Sequence, residues 1–132
     1  MKLRTRHNSV RFRLTQGEVA QFMADGLVCE RIEFSSVPSQ SLEYVLRVSD
    51  ESDQICATFA DGRIVVDVPI ALARDWSFSA KVGLEATQEL AHEKTLKILI
   101  EKDWACLKPR EGEDESDNFA HPQLRVSPNM ST

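Results

Sequence analysis

Five basic side chains lie within the first thirteen residues, and no acid lies among them. Lys2, Arg4 and Arg6 stand at alternate positions, as do Arg11 and Arg13. Alternate side chains of an extended strand share a face. His7-Asn8-Ser9, between the two runs, reads as a turn or bulge that can bring all five bases to one surface. Guanidinium forks suit phosphate or carboxylate through bidentate hydrogen bonds. Arg4, Arg6, Arg11 and Arg13 are therefore candidates for an anion-binding surface. The competing reading is a solvated edge-strand face, where charge blocks aggregation.

The other chemistry-bearing residues lie at the opposite end. Glu111, Glu113, Asp114, Glu115 and Asp117 place five acids in seven residues. Such a block can be a solubilising tail. As a cation site it lacks the glycine and distant bidentate glutamate of a calcium loop. It can also clasp the arginines of the same chain, where opposite charge relieves the repulsion among its acids. Exposed pairs contribute on the order of 0–1 kcal/mol each, so only a network would matter. Glu101 and Asp103 alternate on one strand face and are weak metal candidates. Cys106 could be activated by Lys102, Lys108 or His121, but no spacing demands it, and a small buried residue is the preferred reading. Trp76 and Trp104 read as core or rim residues, and His7 and His92 fall in turns.

The elements that must position these groups follow from periodicity. Val10, Phe12 and Leu14 alternate with Arg11 and Arg13, and Leu42, Tyr44, Leu46 and Val48 alternate with polar residues. Gln54 to Val68 reads as a hairpin turning at Asp61-Gly62, a dipeptide suited to a type I′ turn. That register sets Phe59 opposite Ile64, Ala57 opposite Val66 and Ile55 opposite Val68. A helix over Thr15 to Gly26 carries a capping box, Thr15 with Glu18, and a glycine stop at Gly26. Val19, Phe22 and Met23 form its buried stripe. A second helix starts at Pro69, a favoured first position, and runs through Ile70, Leu72, Ala73 and Trp76. Strands follow at Val82 to Thr87 and Thr95 to Lys102, with QELAHEK as the loop between them.

This order, strand-helix-strand-strand from Ser9 and again from Arg63, suggests an internal duplication. The expected fold is α+β: a strongly curved antiparallel sheet, or a partly closed barrel, of about eight strands. Two short helices cover it, and an irregular C-terminal arm follows. Residues 1–108 would form the α+β domain and 109–132 the acidic arm. A chain of 132 residues makes one domain by the usual prior.

Composition excludes several function classes. A net charge of −5 argues against bulk nucleic-acid binding, which needs a basic domain. No apolar run approaches the length of a spanning helix, so no membrane role is expected. The basic start has no apolar run behind it and is not a secretory signal. Cys29, Cys56 and Cys106 form neither a disulfide framework nor a metal knuckle. A reduced, cytoplasmic setting is the default.

The two ends together resemble a small bacterial family of proteins of unknown function. Its N-terminal pattern K-[LI]-R-x-R-x-N-S-[VI]-R-x-R-L-T-x-x-E-V matches Lys2 to Val19, and its closing E-K-D-[WF]-x-C-L and E-D-E-S-D match Glu101 to Leu107 and Glu113 to Asp117. That family ends in [FY]-P-N-P where this chain has Phe119, Ala120, His121 and Pro122, which weakens His121 as a shared catalytic residue. The resemblance implies no activity. In topology alone, the doubled strand-helix-strand-strand order is similar to triphosphate-tunnel proteins, which open with E-x-E-x-K on the first strand. Here Lys2, Arg4 and Arg6 stand in that place, so the tunnel's metal-dependent hydrolysis loses its main support and the similarity serves as a fold hint.

The preferred function is a non-catalytic binding or interaction protein. Its basic strand face would engage an anionic ligand, a small anion or protein partner, or its own acidic arm, and no cofactor is expected. The alternative is a small metal-dependent enzyme acting on phosphorylated substrates. In it Arg4, Arg6, Arg11 and Arg13 would hold the anion, and Glu101 or Asp103 the metal. The absence of a nucleophile–base pair and of metal-ligand spacing favours the first.

Overall fold

The alternating runs form strands because each keeps its apolar side chains on one face. A computed structural model describes residues 1–103. Its elements are β1 (Lys2–Arg4), β2 (Ser9–Leu14), α1 (Gln16–Asp25), β3 (Leu27–Glu33), β4 (Ser41–Ser49), β5 (Cys56–Ala60), β6 (Arg63–Pro69), α2 (Ile70–Phe78), β7 (Gly83–Glu89) and β8 (Thr95–Lys102). The fold is α+β with eight strands and two helices, as expected. The arm at 109–132 and its candidates Glu111, Glu113, Asp114, Glu115 and Asp117 lie outside the described residues, as do Cys106 and His121.

The strands form two four-stranded sheets, in the orders β1-β2-β8-β7 and β3-β4-β6-β5. Each is two antiparallel hairpins joined by a parallel pair, β2 with β8 and β4 with β6. The sheets are therefore mixed rather than wholly antiparallel. Period-two alternation identifies a strand without identifying its neighbour, so the parallel pairs could not be read from it. Exchanging the first hairpin-helix-hairpin unit (β1 to β4) with the second (β5 to β8) maps one sheet order onto the other. The doubled order seen in sequence thus holds, with β1 and β5 added ahead of each unit.

Local signals set the boundaries. Thr15 caps α1 and forms the capping box with Glu18, while Gly26 ends it in the left-handed region at φ 82°. Asp61 and Gly62 both have positive φ, as a type I′ turn requires. Phe59 faces Ile64 and Ala57 faces Val66, the expected register. A side chain at Gly62 would place its Cβ 2.8 Å from the Ser41 carbonyl oxygen, so glycine is needed there for space as well as φ. Pro69 closes β6 and stands at the N-cap of α2, so the helix begins at Ile70, one residue later than expected. β7 extends to Glu89, and a short 3-10 turn at Ala91–Glu93 occupies the loop after it.

The inner faces of both sheets bury one core. Phe12, Leu14, Leu84, Ile98 and Ile100 come from the first sheet, and Val28, Leu46, Val66 and Val68 from the second. The helices add Val19, Phe22, Ala73 and Trp76. Phe22 and Trp76 are each the seventh residue of their helix. Their rings meet edge to face at 6.2 Å, so matching positions of the two units join the helices. Both helices follow the ends of β2 and β6 and lead into β3 and β7, which puts them at one end of the sheets and all four hairpin turns at the other.

The sheets do not close into a barrel by strand pairing; side chains bridge the seams. At one seam the Gln88 amide pairs with the backbone of Ala57, accepting its N–H at 2.7 Å and donating to its carbonyl at 2.9 Å. This satisfies an edge residue that is buried. At the other, the Met1 ammonium binds Glu18 and Glu30, and the Tyr44 hydroxyl donates to the Met1 carbonyl at 3.2 Å. Gln88→Ala should cost about 1–3 kcal/mol by leaving Ala57 unpaired, measured as a fall in the urea midpoint at constant slope. An unchanged midpoint would mean that water replaces the amide without loss.

Candidate functional site

The strand register assembles the basic surface. Lys2 lies across from Arg13 and Arg4 across from Arg11, so these four bases share the outer face of the first sheet. The parallel pairing adds β8, with Ser9 beside Lys97, Arg11 beside Leu99 and Arg13 beside Glu101. Arg6 sits in the turn between β1 and β2. The Ser9 hydroxyl donates to the Arg6 carbonyl at 2.6 Å, and His7 adopts a left-handed φ of 56°. Asn8 pins this turn to β8, its amide donating to the Thr95 carbonyl at 2.8 Å and its own carbonyl accepting from the Lys97 N–H at 3.1 Å.

These residues enclose a groove of about 790 Å³ at the turn end of the sheet. Among the described residues, four bases line it, Arg4, Arg6, Arg11 and Lys97, against the single acid Glu101. Charge is graded along the face. Toward the helices, Glu101 takes the Arg11 guanidinium at 2.7 Å and that of Arg13 at 3.7 Å. Asp103 takes Lys2 at 3.2 Å and Arg13 at 4.0 Å. Among the described residues, none of these ion pairs includes Arg6 or Lys97, and both are exposed. Partial burial, then the adjacent Arg13 and Arg11, push the Arg4 pKa below its ordinary value, against the pull of Asp103 and Glu101. Positive charge is thus concentrated where an anion would neutralise it.

The structure brings Arg4, Arg6 and Arg11 together at the groove, while Arg13 lies further along the same face. The carboxylates named as metal candidates both face cations, Glu101 against Arg11 and Asp103 against Lys2. Among the described residues, no group of three or more His, Cys, Asp or Glu is arranged to hold a metal. Sequence alone gives no sign of Lys97, and it gives Asn8 only as part of the turn. Their place depends on the parallel β2–β8 pairing, which joins segments some 90 residues apart.

A contrast comes from the second sheet, where the equivalent ion pair has its signs exchanged. Arg13 and Asp67 are each the fifth residue of their strand, and Glu101 and Arg47 each the seventh. Arg47 donates to Asp67 at 2.7 and 3.2 Å, a two-pronged pair, and Arg63 binds Glu43 at 2.6 Å. Bases and acids there are matched. The Cys29 thiol on that face donates to Glu43 at 3.2 Å. Burial and the Glu43 carboxylate push its pKa up, the opposite of what a nucleophilic thiolate needs.

The fold and site thus define an α+β protein with a basic groove on one of two hairpin-built sheets. The chain belongs to a family of unknown function, DUF7009, which it matches over residues 1–123. No curated protein and no solved structure matches it. No helix among the described residues is long and apolar enough to cross a membrane.

Proposed function

We propose that this protein is a non-catalytic anion-binding protein, and that the groove beside the β1–β2 turn engages phosphate or carboxylate groups of a small ligand or an acidic segment. The observation that carries the reading is the lining: Arg4, Arg6, Arg11 and Lys97 around one cavity, with Glu101 the only acid among the described residues. Arginine forks suit phosphate and carboxylate through bidentate hydrogen bonds. Glu101 and Asp103, which a metal-dependent enzyme would need, face Arg11 and Lys2 instead. The non-catalytic reading therefore has the better support.

Titrating the full chain with inorganic tripolyphosphate in a calorimeter tests this. Saturable binding near one equivalent is expected, weakening as salt screens the charges. No binding up to about 1 mM, a free energy weaker than about −4 kcal/mol, would refute it. The acidic run, Glu111 to Asp117, is the chain's own candidate occupant. Neutralising Glu111, Glu113, Asp114, Glu115 and Asp117 together should then tighten tripolyphosphate binding. Unchanged affinity would assign the groove to external anions alone.

A further inference from the structure

A second cavity, of about 920 Å³, lies at the helix end of the fold. One wall is a stripe of α1: Gln16, Val19, Ala20, Met23 and Ala24 recur at the spacing that shares one helical face. The facing wall is the end of α2, where Phe78 is 77% exposed. Its floor is Lys102 and Asp103, the last described residues.

We infer that this groove is the seat of the segment that follows it directly, Trp104-Ala105-Cys106-Leu107. The chain is delivered there under restraint. The Asp103 N–H donates to the Leu14 carbonyl at 2.7 Å, carrying the β2–β8 ladder one residue past Lys102. The Lys102 ammonium donates to the Ser79 carbonyl at 2.6 Å and lies 5.7 Å from the Trp76 ring centre. The described chain therefore ends at Asp103, on the lining of this groove between residues of α1 and α2. Four extended residues reach about 13–14 Å, close to the roughly 15 Å of a ten-residue helix such as α1. The segment carries two large apolar side chains and a cysteine in four residues. Ala20 and Ala24 are small, leaving depth opposite Phe78 for an indole, whose burial removes about 150–250 Å² from water.

Seating 104–107 also fixes where the acidic run begins. Three residues, Lys108, Pro109 and Arg110, lie between Leu107 and Glu111, so four residue steps again give a reach of about 13–14 Å when extended. That keeps Glu111 to Asp117 within reach of the basic face, whose nearer end is Lys2 and Arg13 beside Asp103. The seat does not depend on the anion reading, and the two stand or fall on different measurements.

The test uses the full chain with Ala20→Glu and Ala24→Glu, both at exposed helix positions that leave the core intact. Thiol labelling is read peptide by peptide by mass spectrometry, and Trp104 accessibility by acrylamide quenching against a Trp104→Phe control. In the native chain Cys106 should label at least about tenfold more slowly than in the urea-unfolded chain, as expected of a group that reacts only through local opening. Trp104 should be correspondingly shielded. Each glutamate variant should abolish both protections while leaving the unfolding midpoint of the core little changed. Free access to Cys106 and Trp104 in the native chain would overturn the assignment, as would protection that neither variant alters. Protection lost on dilution would assign the groove to the same segment of a second copy and overturn the intramolecular seat.

Discussion

Replacing Trp76 with alanine is expected to cost about 3–5 kcal/mol, the range for deleting a fully buried large aromatic. That is a large share of the roughly 5–15 kcal/mol that holds a domain of this size together. Several interactions fail at once. Trp76 has no exposed surface and meets Phe22 edge to face at the helix contact. Its indole N–H donates to the Val82 carbonyl at 3.0 Å, tying α2 to the start of β7. Lys102 at the end of β8 lies over the same ring. Urea denaturation followed by circular dichroism gives the loss directly. A loss below about 1 kcal/mol would show that the helices reach the core independently.

Reversing Arg6 and Lys97 together to glutamate should weaken tripolyphosphate binding by at least about thirtyfold, as two charge-assisted contacts become repulsive. Both side chains are exposed, so little change in stability is expected, within about 0.5 kcal/mol. The effect should shrink in high salt, because charges more than about 10 Å apart are largely screened at 0.1 M. Arg31→Glu supplies the control: its partner is Glu33, on the second sheet away from the groove, and its reversal should leave affinity unchanged. Equal losses from both variants would point to diffuse attraction and not to a site.

How far the sequence spoke for itself depended on how local the determining interaction was. The Asp61-Gly62 hairpin, the Thr15–Glu18 capping box and the Gly26 stop each rest on residues a few positions apart, and each stands in the structure. The convergence of Lys2, Arg4, Arg11 and Arg13 was legible because β1 and β2 are consecutive and their alternation survives the turn. Lys97 was not, since nothing near it records that β8 pairs with β2 in parallel. The division into two sheets escaped for the same reason: Gln88 against Ala57 and Tyr44 against Met1 are contacts between distant segments. Glu101 and Asp103 read as a carboxylate pair on one strand face, but the strand that brings Arg11 and Arg13 against them lies at the other end of the chain.

Anion binding at the turn-end groove of the first sheet can be located residue by residue. Backbone amide resonances, followed during titration of the full chain with tripolyphosphate, report location as well as affinity. Saturable shifts are expected, confined to Thr5 through Ser9 and to β8 around Lys97, residues that line the groove. They should be absent from the charge-matched face carrying Arg47 with Asp67 and Arg63 with Glu43. Shifts spread evenly over both sheets, or centred on that second face, would contradict binding at the groove.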